Sequence, residues 1–178
     1  MNERSEPTLL AQHMEQLSHS AILPAIAAQR GYQSINGAAG FSHLKSLGFS
    51  TTQARCTPGL LIPLWSVTGE QHPVAHYRPD TPRLTRSGKE VKYEFPTGAA
   101  LVVDCHPAGQ PQLADPSCVL WITEGEKKAD SLLSAGATCV LCLLGVDGWK
   151  SKGIVNPDFQ HIALRGREIR IVYDSDTW

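Results

Sequence analysis

Hydrophobic and polar positions change their rhythm twice along this chain. Over residues 8–30 the apolar positions Leu9, Leu10, Met14 and Leu17, then Ile22, Leu23, Ile26 and Ala27, recur at helical spacing, and Pro24 breaks the pattern or starts a second helix. "GYQSINGAAG" is turn-rich, and "FSHLKSLGFS" predicts one short helix ending at Gly48. From Pro58 the period shortens. "GLLIPLWSV" reads as an apolar strand, "TGEQ" as a turn, and "HPVAHYRP" as a strand of alternating character. The polar connection "DTPRLTRSGKE" leads to "VKYEFP", a third extended piece, so a compact antiparallel region is expected to end near Gly98.

After a possible strand in "ALVVDCH" and the proline-rich loop "PAGQPQLADPS", the pattern alternates between apolar runs and a helix. "CVLWIT", "TCVLCLLGV" and the apolar part of "REIRIVYDSD" predict strands, and "EGEKKADSLLSAG" a helix with Ala129, Leu132 and Leu133 on one face and Gly136 as its stop. Continuous apolar strands joined by crossovers imply a parallel sheet covered on both faces. The stretch "DGWKSKGIVNPDFQHIAL" should hold the second crossover, with Pro157 limiting any helix there. The expected organisation is α/β: a helical lead over 1–50, a small antiparallel β subdomain over 51–110, and a parallel α/β domain over 117–178.

Composition adds mostly exclusions. At 178 residues the chain can bury a sizeable core, and a net charge of −1 means that affinity for a polyanion must come from local clustering. "MNERSEPTLL" has no apolar signal region and the longest apolar run is too short to span a bilayer, so the sequence reads as cytoplasmic with no membrane partner. Five cysteines show no disulfide rhythm. Cys139 and Cys142 have half-zinc-site spacing but lie in an apolar run without a second ligand pair, so no zinc is expected. The histidines show no metal-type spacing, and Trp65, Trp121 and Trp149 read as core.

The chemistry lies in the acids. In an open parallel sheet, ligands bind outside the carboxyl ends of the strands. Two expected strands end in acid there: "LWIT" runs into Glu124, and "RIVY" into Asp174 and Asp176. If those strands are neighbours, three carboxylates converge with no side chain to neutralise them locally, an arrangement that is costly unless a cation sits among them. Oxygen-only ligands suit Mg2+ or Mn2+. Gly125 permits close approach at the turn, the following helix presents N–H groups to an anion, and Lys127 and Lys128 add positive charge for a phosphate. Bland readings stand beside this one. Asp-x-Asp is frequent in loops, and Glu124 is a favourable acid at a helix N-terminus. An EF-hand is excluded, because its loop needs further ligands and a glycine that this chain lacks.

These same residues carry a resemblance. "LWITEGEKKADSLLSAGATCVLCLLGVDGW" with "IALRGREIRIVYDSD" resembles a Toprim domain, the fold shared by bacterial-type DNA primases, topoisomerases and some nucleases. "EGEKKADSL" is especially similar to Toprim domains of plasmid, phage and integrative-element replication proteins. "PGLLIPLWSVTGEQHPVAHYRPDTP" followed by "KYEFPTG" is similar to the β subdomain that precedes Toprim in primases. The layout as a whole is closest to uncharacterised Toprim-like proteins of mobile elements, over most of residues 40–176.

The resemblance implies that Glu124 is the general base or acid of phosphoryl transfer and that Asp174 and Asp176 hold Mg2+ together with it. It implies primer synthesis on single-stranded DNA from nucleoside triphosphates in the replication of a mobile element, with a replicative helicase as a further partner. A Toprim nuclease and a non-catalytic nucleic-acid-binding module remain open alternatives. Two departures stand out. Bacterial primases usually carry an acid a few residues after Glu-Gly, where this chain has Lys127 and Lys128. A Toprim domain also normally continues past Asp-x-Asp through a helix, a strand and another helix, so the expected domain is incomplete at its C-terminus.

One further stretch, "YRPDTPRLTRSGKEVKY", holds Arg78, Arg83, Arg86, Lys89 and Lys92, with Tyr77 and Tyr93 at its ends. The cations could track a phosphate backbone while the tyrosines stack on bases. Taken alone it reads as a solvated loop with core-facing tyrosines. The primase resemblance shifts the expectation to a single-stranded template surface.

Overall fold

The computed structural model describes residues 9–151 and 153–174. Its elements run α1 (Ala11–His19), α2 (Pro24–Arg30), β1 (Gln33–Ile35), α3 (Gly37–Ser46), α4 (Thr51–Ala54), β2 (Gly59–Trp65), β3 (Gln71–Pro79), β4 (Val103–Cys105), β5 (Leu120–Glu124), α5 (Glu126–Ser134), β6 (Val140–Leu143), β7 (Lys150–Ser151), β8 (Ile154–Val155) and β9 (Ile169–Val172). No helix among the described residues is long and apolar enough to cross a membrane. The chain divides into two compact units that do not follow consecutive boundaries at 1–50, 51–110 and 117–178. The first comprises the segment ending at Gln16, Gly31–Pro63 and Pro73–Ala99; the second comprises Leu17–Arg30, Leu64–His72 and everything from Ala100 onward.

In the first unit a three-stranded sheet has the order β1-β2-β3, with β1 antiparallel to β2 and Gln33 opposite Leu61. The turn-rich reading of "GYQSINGAAG" is therefore corrected: it supplies both β1 and the start of α3. A three-residue strand is too short to show a period, and pairing with the apolar β2 decides its conformation. The expected third strand in "VKYEFP" is reduced to a single bridge between Tyr77 and Glu94. Ile35, Leu44, Phe49, Ala54, Leu61, Ala75 and Tyr77 form the core. Gly59 is fixed by crowding, since a Cβ there would lie 2.5 Å from the Tyr77 hydroxyl and 2.6 Å from the Arg78 carbonyl oxygen. α4 opens with a capping box between Ser50 and Gln53, and the Gln53 amide donates to Glu94 (2.9 Å) and to the Phe95 carbonyl (2.7 Å). Buried His13 lies between Ser34 Oγ (2.7 Å) and Asp80 (2.9 Å), tying α1 to this unit.

The second unit is built on a four-stranded sheet of order β4-β6-β5-β9. β6, β5 and β9 run parallel, while β4 pairs antiparallel with β6, so the sheet is mixed rather than purely parallel. Alternation of side chains explains why β5 and β6 read as unbroken apolar runs. Leu120, Ile122, Cys139, Leu141 and Leu143 pack on one face with Val67, Val103, Cys105, Leu113 and Ile162. Val140 and Cys142 pack on the other under Ala129 and Leu133 of α5, with Ile26 of α2 beside them. Cys139 and Cys142 thus face opposite sides of the sheet, and the five cysteines are free. β9 departs from the expected burial: Ile169, Ile171 and Val172 are all exposed, Ile171 by 65%. It holds the outer place in the strand order, and apolar content alone could not reveal that.

The approach to β9 is fastened by Arg167, whose guanidinium donates to the carbonyls of Cys118 (2.8 Å), Leu113 (3.0 Å) and Gln112 (2.9 Å). A second arginine is enclosed altogether. Arg30, at the end of α2, donates to both oxygens of Asp104 in β4 (2.6 and 2.8 Å) and to both of Asp130 in α5 (3.0 and 2.6 Å). All three side chains have no solvent exposure. Burial pushes the Asp104 carboxyl up to about 6, against the opposing pull of Arg30. Removing one partner of such a cluster strands the remaining charges in the interior. Arg30→Met is expected to lower the unfolding free energy by roughly 3–5 kcal/mol in urea denaturation. A loss under about 1 kcal/mol would contradict the enclosed arrangement.

Candidate functional site

The order β4-β6-β5-β9 makes the carboxyl end of β5 a topological switch point. The chain leaves β5 through α5 to reach β6 on one side, and β9 arrives on the other, so the two connections diverge and leave a crevice. Glu124 closes β5 opposite Leu143, and Thr123 pairs with Val172, which sets Asp174 just beyond the end of β9. Gly125 follows with φ +82°, ψ 133°, and none of the described residues lies within 4 Å of where a Cβ would stand. The requirement for glycine there is conformational, and the space above it is open.

The structure brings Glu124 and Asp174 together as the spacing predicts. The Asp174 backbone N–H donates to Glu124 Oε1 at 3.0 Å. The expectation that no side chain neutralises them is corrected. Lys128 Nζ lies 2.6 Å from Glu124 Oε1 and 2.6 Å from Asp174 Oδ2. Its location one turn into α5 puts it four residues from Glu124, within reach across the strand-to-helix turn. Burial opposes the Lys128 charge, but hydrogen bonds to Asp174 and Glu124 outweigh it and raise its pKa above that of an ordinary lysine. Lys128 therefore serves the acids, where the sequence assigned it to a phosphate; Lys127 is half-exposed one residue earlier. Asp176, the third expected ligand, lies outside the described residues.

The fit to a divalent ion can be judged from the oxygens. Glu124 is 15% exposed, and its Oε2 is buried without a hydrogen-bond partner among the described residues, while the Asp174 carboxylate is 59% exposed. Two carboxylates on an open crevice suit Mg2+, which binds through one or two carboxylates and keeps several waters for substrate phosphates. Among the described residues no group of three or more His, Cys, Asp or Glu side chains is placed to hold a metal ion. The residues present fit a hard cation as a shared, partly hydrated site. Tyr173, next to Asp174, has its hydroxyl pKa raised by burial and by the charges of Glu124 and Asp147.

Sequence reading missed what holds α5 in place. Glu126, Ala129, Asp130 and Leu133 are its buried residues, and Asp130 meets Arg30. The available signal was a lone charge within each apolar pattern: Asp104 in "LVVDC" and Asp130 beside Ala129.

In the other unit the basic stretch separates into two groups. Tyr77 is fully buried and its hydroxyl donates to the Cys56 carbonyl at 3.0 Å, so the base-stacking reading of Tyr77 is corrected: it is core. Arg83 Nε is 2.5 Å from Oε1 of the buried Glu94, an ion pair that occupies its charge. Arg86, Lys89 and Lys92 are exposed, and Tyr93 is 40% exposed with the Arg78 guanidinium 5.8 Å from its ring centre. Arg78 and Lys92 line a polar pocket with Gln12, His13, Asp80 and Glu90.

Comparison with known proteins places the fold. Residues 110–178 match the model of a family described only as a domain of unknown function, DUF3854. No curated protein matches the chain. Among solved structures it is similar to the zinc-binding and RNA polymerase domains of the Aquifex aeolicus primase, with a TM-score of 0.64 and 15% identity over 93% of this chain and 43% of that one. It is similar to the RNA polymerase domain of Mycobacterium tuberculosis primase DnaG, with a TM-score of 0.59 and 16% identity over 94% of this chain and 60% of that one. It is likewise similar to a DnaG primase catalytic domain solved bound to single-stranded DNA, with a TM-score of 0.59 and 14% identity over 94% and 55%. The chain therefore has the fold of a primase catalytic core and spans about half the length of these structures.

The switch-point turn makes its own prediction. Gly125→Ala forces an L side chain into a positive-φ conformation and is expected to lower stability by about 1–2 kcal/mol, read from the urea midpoint at constant slope. An unchanged midpoint would mean that the turn is not formed as described.

Proposed function

We propose that this chain carries the acidic centre of a primase-like enzyme, which joins nucleotides on single-stranded DNA by metal-dependent phosphoryl transfer. The observation that supports this reading best is the meeting of Glu124 and Asp174 at a switch point, with one oxygen of Glu124 buried and unpartnered. A bound Mg2+ or Mn2+ supplies neutralisation of phosphate charge and activation of the attacking hydroxyl. Glu124 and Asp174, with Asp176, would hold that ion. Glu124 is the proposed general base or acid, the role that the resemblance gives it. The open space above Gly125 admits a phosphate beside the acids.

Arg86, Lys89, Lys92 and Arg78, with exposed Tyr93, form the surface proposed for single-stranded DNA. Nucleoside triphosphates would be the second substrate. A replicative helicase as partner, a cytoplasmic setting and replication of a mobile element complete the proposal, the last resting on the likeness of "EGEKKADSL" to replication proteins of such elements. The binding-module alternative has one observation in its favour, since Lys128 already neutralises the acids.

Incorporation of labelled ribonucleotides on a single-stranded template tests the reading. Glu124→Gln is expected to cut it by at least about a hundredfold, the range typical of a lost general acid or base. Magnesium-dependent loss of intact DNA without nucleotides would point to a nuclease. Absence of turnover, with DNA binding unchanged in Asp174→Asn/Asp176→Asn, would establish the binding module.

The basic surface gives an independent measurement. Replacing Arg86, Lys89 and Lys92 together by alanine should weaken single-strand binding and flatten its log-affinity against log-salt slope by about 2, which is three phosphate contacts at roughly 0.7 each. An unchanged slope would remove these residues from the interface.

A further inference from the structure

We propose that Lys128 is a built-in counter-cation that occupies the divalent-ion position between Glu124 and Asp174, so that metal binds here by exchange with its ammonium group. The proposal rests on the metal reading given above and adds to it a residue that sets the ion's threshold.

The geometry supplies the first argument. Lys128 Nζ bridges Glu124 Oε1 and Asp174 Oδ2 at 2.6 Å each, and these oxygens stand at the ends of two neighbouring strands, Asp174 just beyond β9. A cation bridging carboxylates from neighbouring strand ends stands where a metal ion would neutralise both. The second argument is electrostatic. Two carboxylates held together by the Asp174 N–H···Glu124 bond repel each other, and one positive charge removes most of that cost. A divalent ion on the same oxygens would be repelled by an ammonium group a few ångströms away, so the two cannot share the position.

The third argument concerns what can move. The α5 backbone is held by Ala129 and Leu133 in the core and by Asp130 on Arg30. The Lys128 side chain is 41% exposed and ends a flexible four-carbon stem, so it can swing into solvent while the helix stays in place. An ordinary surface pair four residues apart would have no such consequence: its loss changes stability slightly and leaves ion affinity alone.

Mn2+ titration followed by the electron paramagnetic resonance of the free ion, with no nucleotide or DNA, tests this on the whole chain. Lys128→Met is expected to bind Mn2+ about tenfold or more tightly than the parent, and Lys128→Arg to bind as the parent does. Without metal, Lys128→Met should lower the thermal midpoint, and Mn2+ should restore it. Equal or weaker Mn2+ binding by Lys128→Met overturns the exchange. If that binding is still abolished by Glu124→Gln, the metal reading survives alone. No Mn2+ bound by any variant overturns both.

Discussion

A single guanidinium, sealed from water, sets the geometry of the α/β unit. Arg30 joins the end of α2 to Asp104 in β4 and to Asp130 in α5, each through both carboxylate oxygens. Bidentate charge-assisted bonds have strict directions, so they fix where these elements stand as well as that they touch. Asp104 also accepts from the Trp65 N–H at 2.8 Å, and Trp65 Nε1 donates to the Arg30 carbonyl at 3.1 Å. The cluster holds one cation against two carboxylates, and the Asp104 pKa is raised chiefly by burial, with a smaller push from nearby Glu126 against the pull of Arg30. Its main contribution is position. α5 carries Lys128, and the start of α5 fixes the Gly125 turn and the direction of Glu124.

How far the sequence disclosed this depends on the range of the forces involved. α5, β5 and β6 were legible because their apolar patterns are long and their stop signals local, and the convergence of Glu124 with Asp174 followed from placing acids at strand ends. β1 was not legible: three residues show no period, and only the neighbouring β2 makes them extended. The antiparallel course of β4 depends on a partner almost forty residues away. Tyr77 shows the same limit, since a tyrosine beside arginines looks like a stacking residue until packing encloses it. The Lys128 contacts were missed because its charge was assigned to a phosphate, although its spacing of four residues from Glu124 was a local signal for an ion pair.

The two acids and the lysine connect the fold to its chemistry. A primase-like core gathers negative charge at one sheet edge, and negative charge gathered without compensation resists folding. Here the compensation is covalently attached to the next helix, so the edge can form before any ion arrives. The lysine thus balances both acids while the strands that carry them keep one register.

The distribution of thiols has a consequence of a different kind. Cys105 in β4, Cys142 in β6 and Cys139 just before it are buried, and burial keeps all three protonated. Cys56 and Cys118 are partly exposed. The thiol pKa values of these two are raised as well, Cys56 by burial and Cys118 by its hydrogen bond to Asp115, so exposure separates the groups: an alkylating reagent meets the first three no faster than the sheet opens, and the other two in the intact fold. The protein thus carries its own clock for the breathing of the four-stranded sheet, readable by mass spectrometry without an introduced label.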